Sequence, residues 1–580
     1  MTEMNNSTLP EILRRRSKEQ PEKVGYIFLK NGEEADEELT YGALDLAARV
    51  RKTALVSAGL SGANVVLLYP SGLEFIRTLL GCMYAGVSGA PVQVPRSRQG
   101  IQRLRRIADD ACTSIILTTA SVKGELEENF ATLPELEGLT FIDTESFPPD
   151  TSGDWEMSPP DPNDIALLQY TSGSTGDPKG VIVTHANFLA NAAETDELWP
   201  CEPRGTVVNW LPLFHDMGLL FGVILPLWAG IPSYLMAPET FIRKPSRWLE
   251  AISKLGGTHA AAPNFAYELC IRSIENGRAT SELDLSTWRV AANGAEPVRW
   301  QTMRAFTEKF ASVGFDPRAM CPGYGLAENT LKATGSPQDQ KPSVRWISAT
   351  ALRNHRVEFV TTMTAGAVPV VSSGMTVPGT QVRIVDPVTS MACLPNQVGE
   401  IWVSGPCVAA GYYGRPAETQ TTFRAQILAE QGAQEFFLRT GDLGFLHRDE
   451  LYVTGRLKDV IIRNGRNYYP QDIELSAEAA VLGLHPNCAA AFSVDDGRTE
   501  RLVVVVEVDG RVLKAVGPSD LRRFVHQAVW ENQRLEADYV MVVRRGSLPR
   551  TSSGKVQRRA CRQRYEKGEF VQLVGIEQET

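Results

Sequence analysis

The 580-residue chain has only seven histidines and nine cysteines, and the cysteines (82, 112, 201, 270, 321, 393, 407, 488 and 561) never fall in a C-x-x-C spacing. An odd, scattered set fits neither a disulfide framework nor a zinc ribbon, so the thiols are expected to be reduced. The histidines form no ligand-spaced cluster either, which argues against a zinc-type centre. A basic excess is missing too: 59 Lys and Arg against 68 Asp and Glu give a formal charge of −9. Nucleic acid is therefore not an expected partner. The opening stretch MTEMNNSTLPEILRRR has no apolar segment of the kind that directs secretion, so a cytoplasmic location is expected. One long uncharged run exists, residues 218–237 (GLLFGVILPLWAGIPSYLMA). Its length suffices for a membrane span. Pro226, Pro232, Gly222 and Gly230 interrupt it, however, and no transmembrane segment is expected.

A composition of 43% hydrophobic and 22% charged residues supports packed cores, and the length calls for several of them. Thr40 is placed to N-cap a helix over residues 40–57 that stops at Gly59; a buried strand follows at 64–68, a helix at 73–85 and an extended piece at 87–92. The same rhythm returns over 206–276. Such alternation implies parallel sheets covered by helices, hence an α/β fold with two βα subdomains. Residues 379–413 read instead as short extended pieces with turns, a small β-barrel or β-rich unit. Beyond 455 the pattern becomes α+β, with helices near 470–480 and 520–530 and strands at 488–494, 502–508 and 539–543. The expected organisation is a large domain over 1–455 and a small one over 456–580.

The strongest chemical signal is residues 165–184, IALLQYTSGSTGDPKGVIVT. Strand-like flanks enclose Gly173, Gly176 and Gly180, the hydroxyls of Thr171, Ser172, Ser174 and Thr175, and the cation Lys179. Glycines admit phosphate oxygens to backbone N–H groups, hydroxyls add donors and lysine adds charge, so the loop suits a polyphosphate. It lacks the G-x-x-x-x-G-K-[ST] spacing, and Gly554-Lys555 is followed by Val556. By composition alone a solvated hairpin loop reads equally well.

Together with residues 323–328 (GYGLAE), 440–443 (TGDL), Gly455-Arg456 and 549–555 (PRTSSGK), that loop resembles the adenylate-forming enzyme superfamily, with the motifs in the family's order along nearly the whole chain. Residues 211–219 (LPLFHDMGL), 241–253 (FIRKPSRWLEAIS) and 465–474 (GRNYYPQDIE) are similar to the fatty acyl-AMP ligases, as is an insertion around 347–374. The resemblance implies a large adenylate-forming domain and a mobile C-terminal lid hinged near Lys458. It also implies ATP-dependent activation of a fatty acid, with transfer to the phosphopantetheine of an acyl carrier protein; a long-chain acyl-CoA synthetase and a non-catalytic adenylate-binding protein are the alternatives.

The same resemblance distributes roles. Residues 171–179 (Thr171, Ser172, Gly173, Ser174, Thr175, Gly176 and Lys179) grip the β- and γ-phosphates, and Glu328 holds Mg²⁺ with Thr175 as a second candidate. Adenine lies between Asn293, Gly294, Ala295 and Gly323, Tyr324, Gly325. Asp442 takes the ribose hydroxyls and Arg456 binds ribose or phosphate. Lys555 bridges the carboxylate and the α-phosphate as charge builds, and His215 sits near the acyl carboxylate. The insertion restrains the lid and disfavours CoA. Residues 210–228 supply apolar side chains for an acyl tunnel. The arginines at 544, 545, 550, 558, 559, 562 and 564 read as a solvated face, with steering of an acidic carrier protein as their second use.

Overall fold

The computed structural model describes residues 7–148, 159–170, 178–201, 204–274, 282–362, 364–428, 435–463, 466–495, 500–551 and 554–573. Thr40 does cap a helix, Tyr41–Ser57, its hydroxyl accepting the Ala43 N–H. The βα alternation resolves into two large sheets. In one, Asn64–Leu68, Ser88–Val92, Ile115–Thr118 and Thr140–Asp143 run parallel. Ile165–Tyr170 joins them in parallel, and Gly180–Thr184 and then Gly411–Tyr412 extend that edge antiparallel. The second sheet is parallel through its centre, Ser233–Leu235, Val207–Asn209, His259–Ala262, Val290–Asn293 and Met320–Gly325. An antiparallel strand, Lys332–Gly335, closes one side of it. Strands buried on both faces need uninterrupted apolar sequence, which is why VVLL and HAAA read as they do.

The uncharged run at 218–237 folds as helix up to Ala229 and as the strand Ser233–Leu235 after it. Asp216–Leu219, a π turn at Leu220–Ile224 and Leu225–Ala229 follow one another without a break, so Gly222 and Pro226 are absorbed by the wider turn. The run ends at Gly230, φ +72°, where Arg16 of the first helix, Leu9–Glu19, donates to the carbonyls of Leu227 and Trp228. That contact satisfies acceptors a helix end leaves open. Among the described residues no helix is long and apolar enough to cross a membrane.

The β-rich unit read as a small barrel is a four-stranded antiparallel sheet in the order Gln381–Val385, Gly399–Ser404, Leu438–His447, Glu450–Arg456. Its outer strands do not pair with each other among the described residues, so it stays open and lays one face on Ala333 of the second large sheet. The C-terminal part builds separate cores around Ala489–Asp495, Glu500–Val508 and Tyr539–Arg544, flanked by Pro470–Glu478, Pro518–Gln533 and Arg558–Glu566. All nine cysteines are free thiols.

Glycine has a specific packing duty at 374, where φ is +78° and an added Cβ would lie 1.9 Å from the carbonyl carbon of Gly335. Gly62 shares the positive φ, +76°, but faces open space. Gly374→Ala should therefore cost about 2–4 kcal/mol and Gly62→Ala about 1 kcal/mol, read as separate shifts in denaturation midpoint. Equal costs at the two positions would contradict the collision.

Candidate active site

The two large sheets and the small one meet where five motifs converge. Residues 171–177 of the glycine-rich loop, and with them Thr171, Ser172, Gly173, Ser174, Thr175 and Gly176, lie outside the described residues. Both flanking strands are in place, and Lys179, just before Gly180–Thr184, pairs its ammonium with Glu418. Gln169, near the end of Ile165–Tyr170, donates to the Phe214 carbonyl at 2.9 Å and so ties that strand to the FHDMG motif. His215 caps the helix that begins at Asp216, and its Nδ1 stands 2.7 Å from the Asp216 carboxylate. The same Nδ1 accepts the Met217 N–H at 3.3 Å, which leaves Nε2 as the ring nitrogen that makes neither contact. Burial alone would raise the Asp216 carboxyl; His215, the Met217 N–H and Lys555 together hold it below the ordinary range.

Asn293, Gly294 and Ala295 do come against Gly323, Tyr324 and Gly325. Asn293 pairs in register with Pro322, and a Cβ on Gly294 would lie 2.9 Å from the Gly323 carbonyl oxygen. Only glycine lets the two backbones approach so closely. Among the described residues the buried Asn293 Oδ1 has no hydrogen-bond partner. Tyr324 donates its hydroxyl to Asp442 Oδ2 at 2.8 Å, and the Arg456 Nε–H donates to Asp442 Oδ1 at 3.0 Å. The hairpin register explains the second bond, because Asp442 and Arg456 are direct cross-strand partners. Burial, reinforced by Asp442, pushes the Tyr324 hydroxyl well above its usual value and keeps it a donor.

Glu328 lies on a short turn, Ala327–Asn329, and accepts the Tyr412 hydroxyl at 2.8 Å. Burial raises its carboxyl pKa, opposed first by that hydrogen bond. Lys555 arrives from the C-terminal part on a loop in which Gly554, φ +85°, lies over the Phe265 ring. Burial and the nearby Arg456 push the ammonium below its ordinary pKa, while Glu296, Asp216 and Asp442 oppose them. Sequence reasoning read Arg550 and Arg558 as surface; both are braces. Arg550 grips the Gly554 and Asn487 carbonyls and Glu507, and Arg558 makes a two-pronged pair with Glu474. Sequence reasoning also passed over Glu296, which accepts from the Phe265 N–H and from Asn487 across the junction.

The insertion is a hairpin of Val344–Ser348 and Ala367–Val371 with a helical turn, Ala349–Leu352, between them. Arg353 reaches the C-terminal part: its guanidinium donates to the Gln533 carbonyl at 2.8 Å and lies 4.9 Å from the Tyr468 ring centroid. Its carbonyl accepts from both the backbone and side-chain N–H groups of Asn467, which also contacts His355 Nε2 at 2.7 Å. Ile347, Leu352 and Val357 share an apolar cluster with Leu443, Phe445, Tyr452 and Tyr469, and Leu457 and Val460 pack on it.

Known proteins resemble this chain in sequence and fold. The family model "AMP-binding enzyme" matches residues 13–413, and that of the Disco-interacting protein 2-like AMP domain matches 458–573. The medium-chain-fatty-acid–[acyl-carrier-protein] ligase JamA of Moorena producens is 42% identical over 98% of this chain and 96% of its own. The long-chain-fatty-acid–AMP ligase FadD26 of Mycobacterium marinum is 34% identical over 98% of this chain and 99% of its own. Among solved structures, the fatty acyl-adenylate ligase of Legionella pneumophila with acyl adenylate and pyrophosphate aligns with a TM-score of 0.74 at 36% identity, covering 96% of each chain.

Arg353→Ala removes a charged hydrogen bond and a cation–π contact between the insertion and the C-terminal part. Amide exchange in the hairpin of Ile461–Arg463 and Arg466–Tyr468 should accelerate about tenfold, with His259–Ala262 unaffected. Unchanged exchange in the hairpin would show that the apolar cluster alone holds the insertion in place.

Proposed function

The chain belongs to the AMP-binding enzyme family, and from that premise we propose the following division of labour. The enzyme joins a fatty carboxylate to the α-phosphate of ATP, releases pyrophosphate, and passes the acyl group to the phosphopantetheine thiol of an acyl carrier protein with release of AMP. The observation that carries this reading is the seating of Lys555, delivered from a separate core beside Gly554, which abuts Phe265, and within electrostatic reach of Asp442, Asp216 and Glu296. Both reactants are anions, so the reaction needs a cation between carboxylate and α-phosphate more than it needs a proton transfer.

Asp442 has one donor on each oxygen and lone pairs left for the ribose hydroxyls, and Arg456 is the guanidinium beside them. Asn293 to Ala295 and Gly323 to Gly325 form the walls against adenine. Lys179, with the hydroxyls and backbone of residues 171–176, takes the β- and γ-phosphates. His215 presents Nε2 toward the acyl carboxylate, oriented by Asp216. A magnesium ion fits Glu328, a partly buried carboxylate whose side-chain donor among the described residues is a single neutral hydroxyl. Among those residues no group of three or more His, Cys, Asp and Glu converges. One carboxylate shared with phosphate oxygens and water is the usual magnesium arrangement. When bound, the ion supplies positive charge to the phosphates. The lid is residues 456–580 turning about Lys458 in the strand-to-strand segment Leu457–Asp459, and the insertion's grip on it favours the carrier thiol over CoA.

Purified protein with ATP, Mg²⁺ and labelled fatty acids, then CoA or phosphopantetheinylated carrier protein, tests the scheme. Acyl-AMP should accumulate and discharge to the carrier; rapid acyl-CoA formation would identify an acyl-CoA synthetase instead, and no acyl-AMP would leave only nucleotide binding. Lys555→Ala should lower adenylation about 10²–10³-fold without unfolding the protein, and a loss under tenfold would remove Lys555 from the transition state. Deleting residues 347–374 should raise transfer to CoA; unchanged CoA activity in a folded deletion would end the restraining role of the insertion.

A further inference from the structure

Tyr412 carries no role in any motif above, yet it touches both groups assigned to the phosphate end of the site. Its hydroxyl donates to Glu328 Oε1 at 2.8 Å, and the Lys179 ammonium stands 5.2 Å from its ring centroid. The residue is held from every side. Tyr412 pairs with Val181, two residues after Lys179, in the antiparallel edge of the first large sheet. Its N–H donates to Thr419 Oγ1 at 2.9 Å, and Phe423 packs edge-on against its ring at 5.0 Å. Two residues before that strand, the Ala409 N–H donates to the Glu328 carbonyl at 2.9 Å, so a single chain segment fixes both the backbone and the carboxylate of Glu328.

Charge neutralisation does not require this tyrosine, since Glu418 already pairs with Lys179. What the ring and hydroxyl supply is spacing. Hydrogen bonding to Oε1 stops the Glu328 carboxylate from rotating and leaves Oε2 with a fixed direction, while the ring face limits where the ammonium can rest.

We propose that Tyr412 is a positioning residue for adenylation, registering the Glu328 carboxylate against the Lys179 ammonium so that a metal-bound triphosphate meets both at once. The proposal rests on the roles given to Glu328 and Lys179 above. It separates the two halves of the side chain: the hydroxyl governs the metal, the ring governs the phosphates.

Tyr412→Phe keeps the ring, the Phe423 contact and the cross-strand pairing, and loses only the hydroxyl. Tyr412→Leu loses the ring as well. Manganese titrated by electron paramagnetic resonance with α,β-methylene-ATP present should bind Tyr412→Phe about tenfold more weakly than the parent protein. In pyrophosphate release, the Mg²⁺ needed for half-maximal rate should rise about as much, with the KM for ATP at saturating Mg²⁺ within about twofold. Tyr412→Leu should raise both. Unchanged manganese affinity in Tyr412→Phe, or equal shifts in both parameters for the two variants, would overturn the proposal. A parent protein that forms no acyl-adenylate would count against the catalytic scheme, and the manganese titration would still decide the role of Tyr412.

Discussion

Two anions have to meet before a carboxylate and a phosphate can share an oxygen, and in the scheme proposed above Lys555 is the cation that permits it. Lys555 is brought to the cleft on a part of the chain with its own hydrophobic core. An ammonium in permanent residence among Asp442, Asp216 and Glu296 would be satisfied by them and of little use to an incoming charge. These carboxylates instead surround it at electrostatic range, each engaged elsewhere: Asp442 by Tyr324 and Arg456, Asp216 by His215, Glu296 by Phe265 and Asn487. The ammonium is attracted into the cleft without being consumed there.

This arrangement constrains the rest of the fold. A lysine at the tip of a loop is useful only if the loop is stiff, and stiffness comes from Arg550, which spans the Gly554 carbonyl, the Asn487 carbonyl and Glu507. The loop must also find the cleft. Arg299 pairs with Glu478 at 2.8 Å and Arg272 donates to the Leu484 carbonyl, two polar contacts of the kind that release and re-form more readily than a packed apolar interface. On the opposite side, the insertion adds Arg353 and an apolar cluster on which Leu457 and Val460 pack. The C-terminal part thus meets the large one through an ion pair and a polar contact on one side and through a cation, a hydrogen bond and an apolar cluster on the other.

What could be seen in the sequence depended on whether a signal was local. The helix begun by Thr40 and the strands of the C-terminal part follow from caps and periodicity within a few residues. The Asp442–Arg456 pair follows from one hairpin, whose turn residues Arg448 and Asp449 both have positive φ and so fix the register. Residues 218–237 were legible as non-spanning, but not as a helix unbroken to Ala229 followed by the strand Ser233–Leu235, because the π turn at Leu220–Ile224 leaves no pattern that a 3.6-residue period detects. The barrel expectation failed for a related reason: closure depends on whether two outer strands meet, and short extended pieces look the same in an open sheet.

The residues that escaped notice, Gln169, Asp216, Glu296 and Tyr412, act through partners that are named in motifs while lying outside them or holding an unremarked place within them. Their chemistry is ordinary; their position is not. Tyr412 is 84 residues from Glu328 and reaches it only because the strand Gly411–Tyr412 returns to the edge of a sheet begun by Asn64–Leu68. A motif reports which groups face the reaction, and the sheets decide which side chains hold those groups still. Precision in the site is therefore a property of the strand order, since moving Gly411–Tyr412 by one register step would turn Tyr412 to the other face and release Glu328.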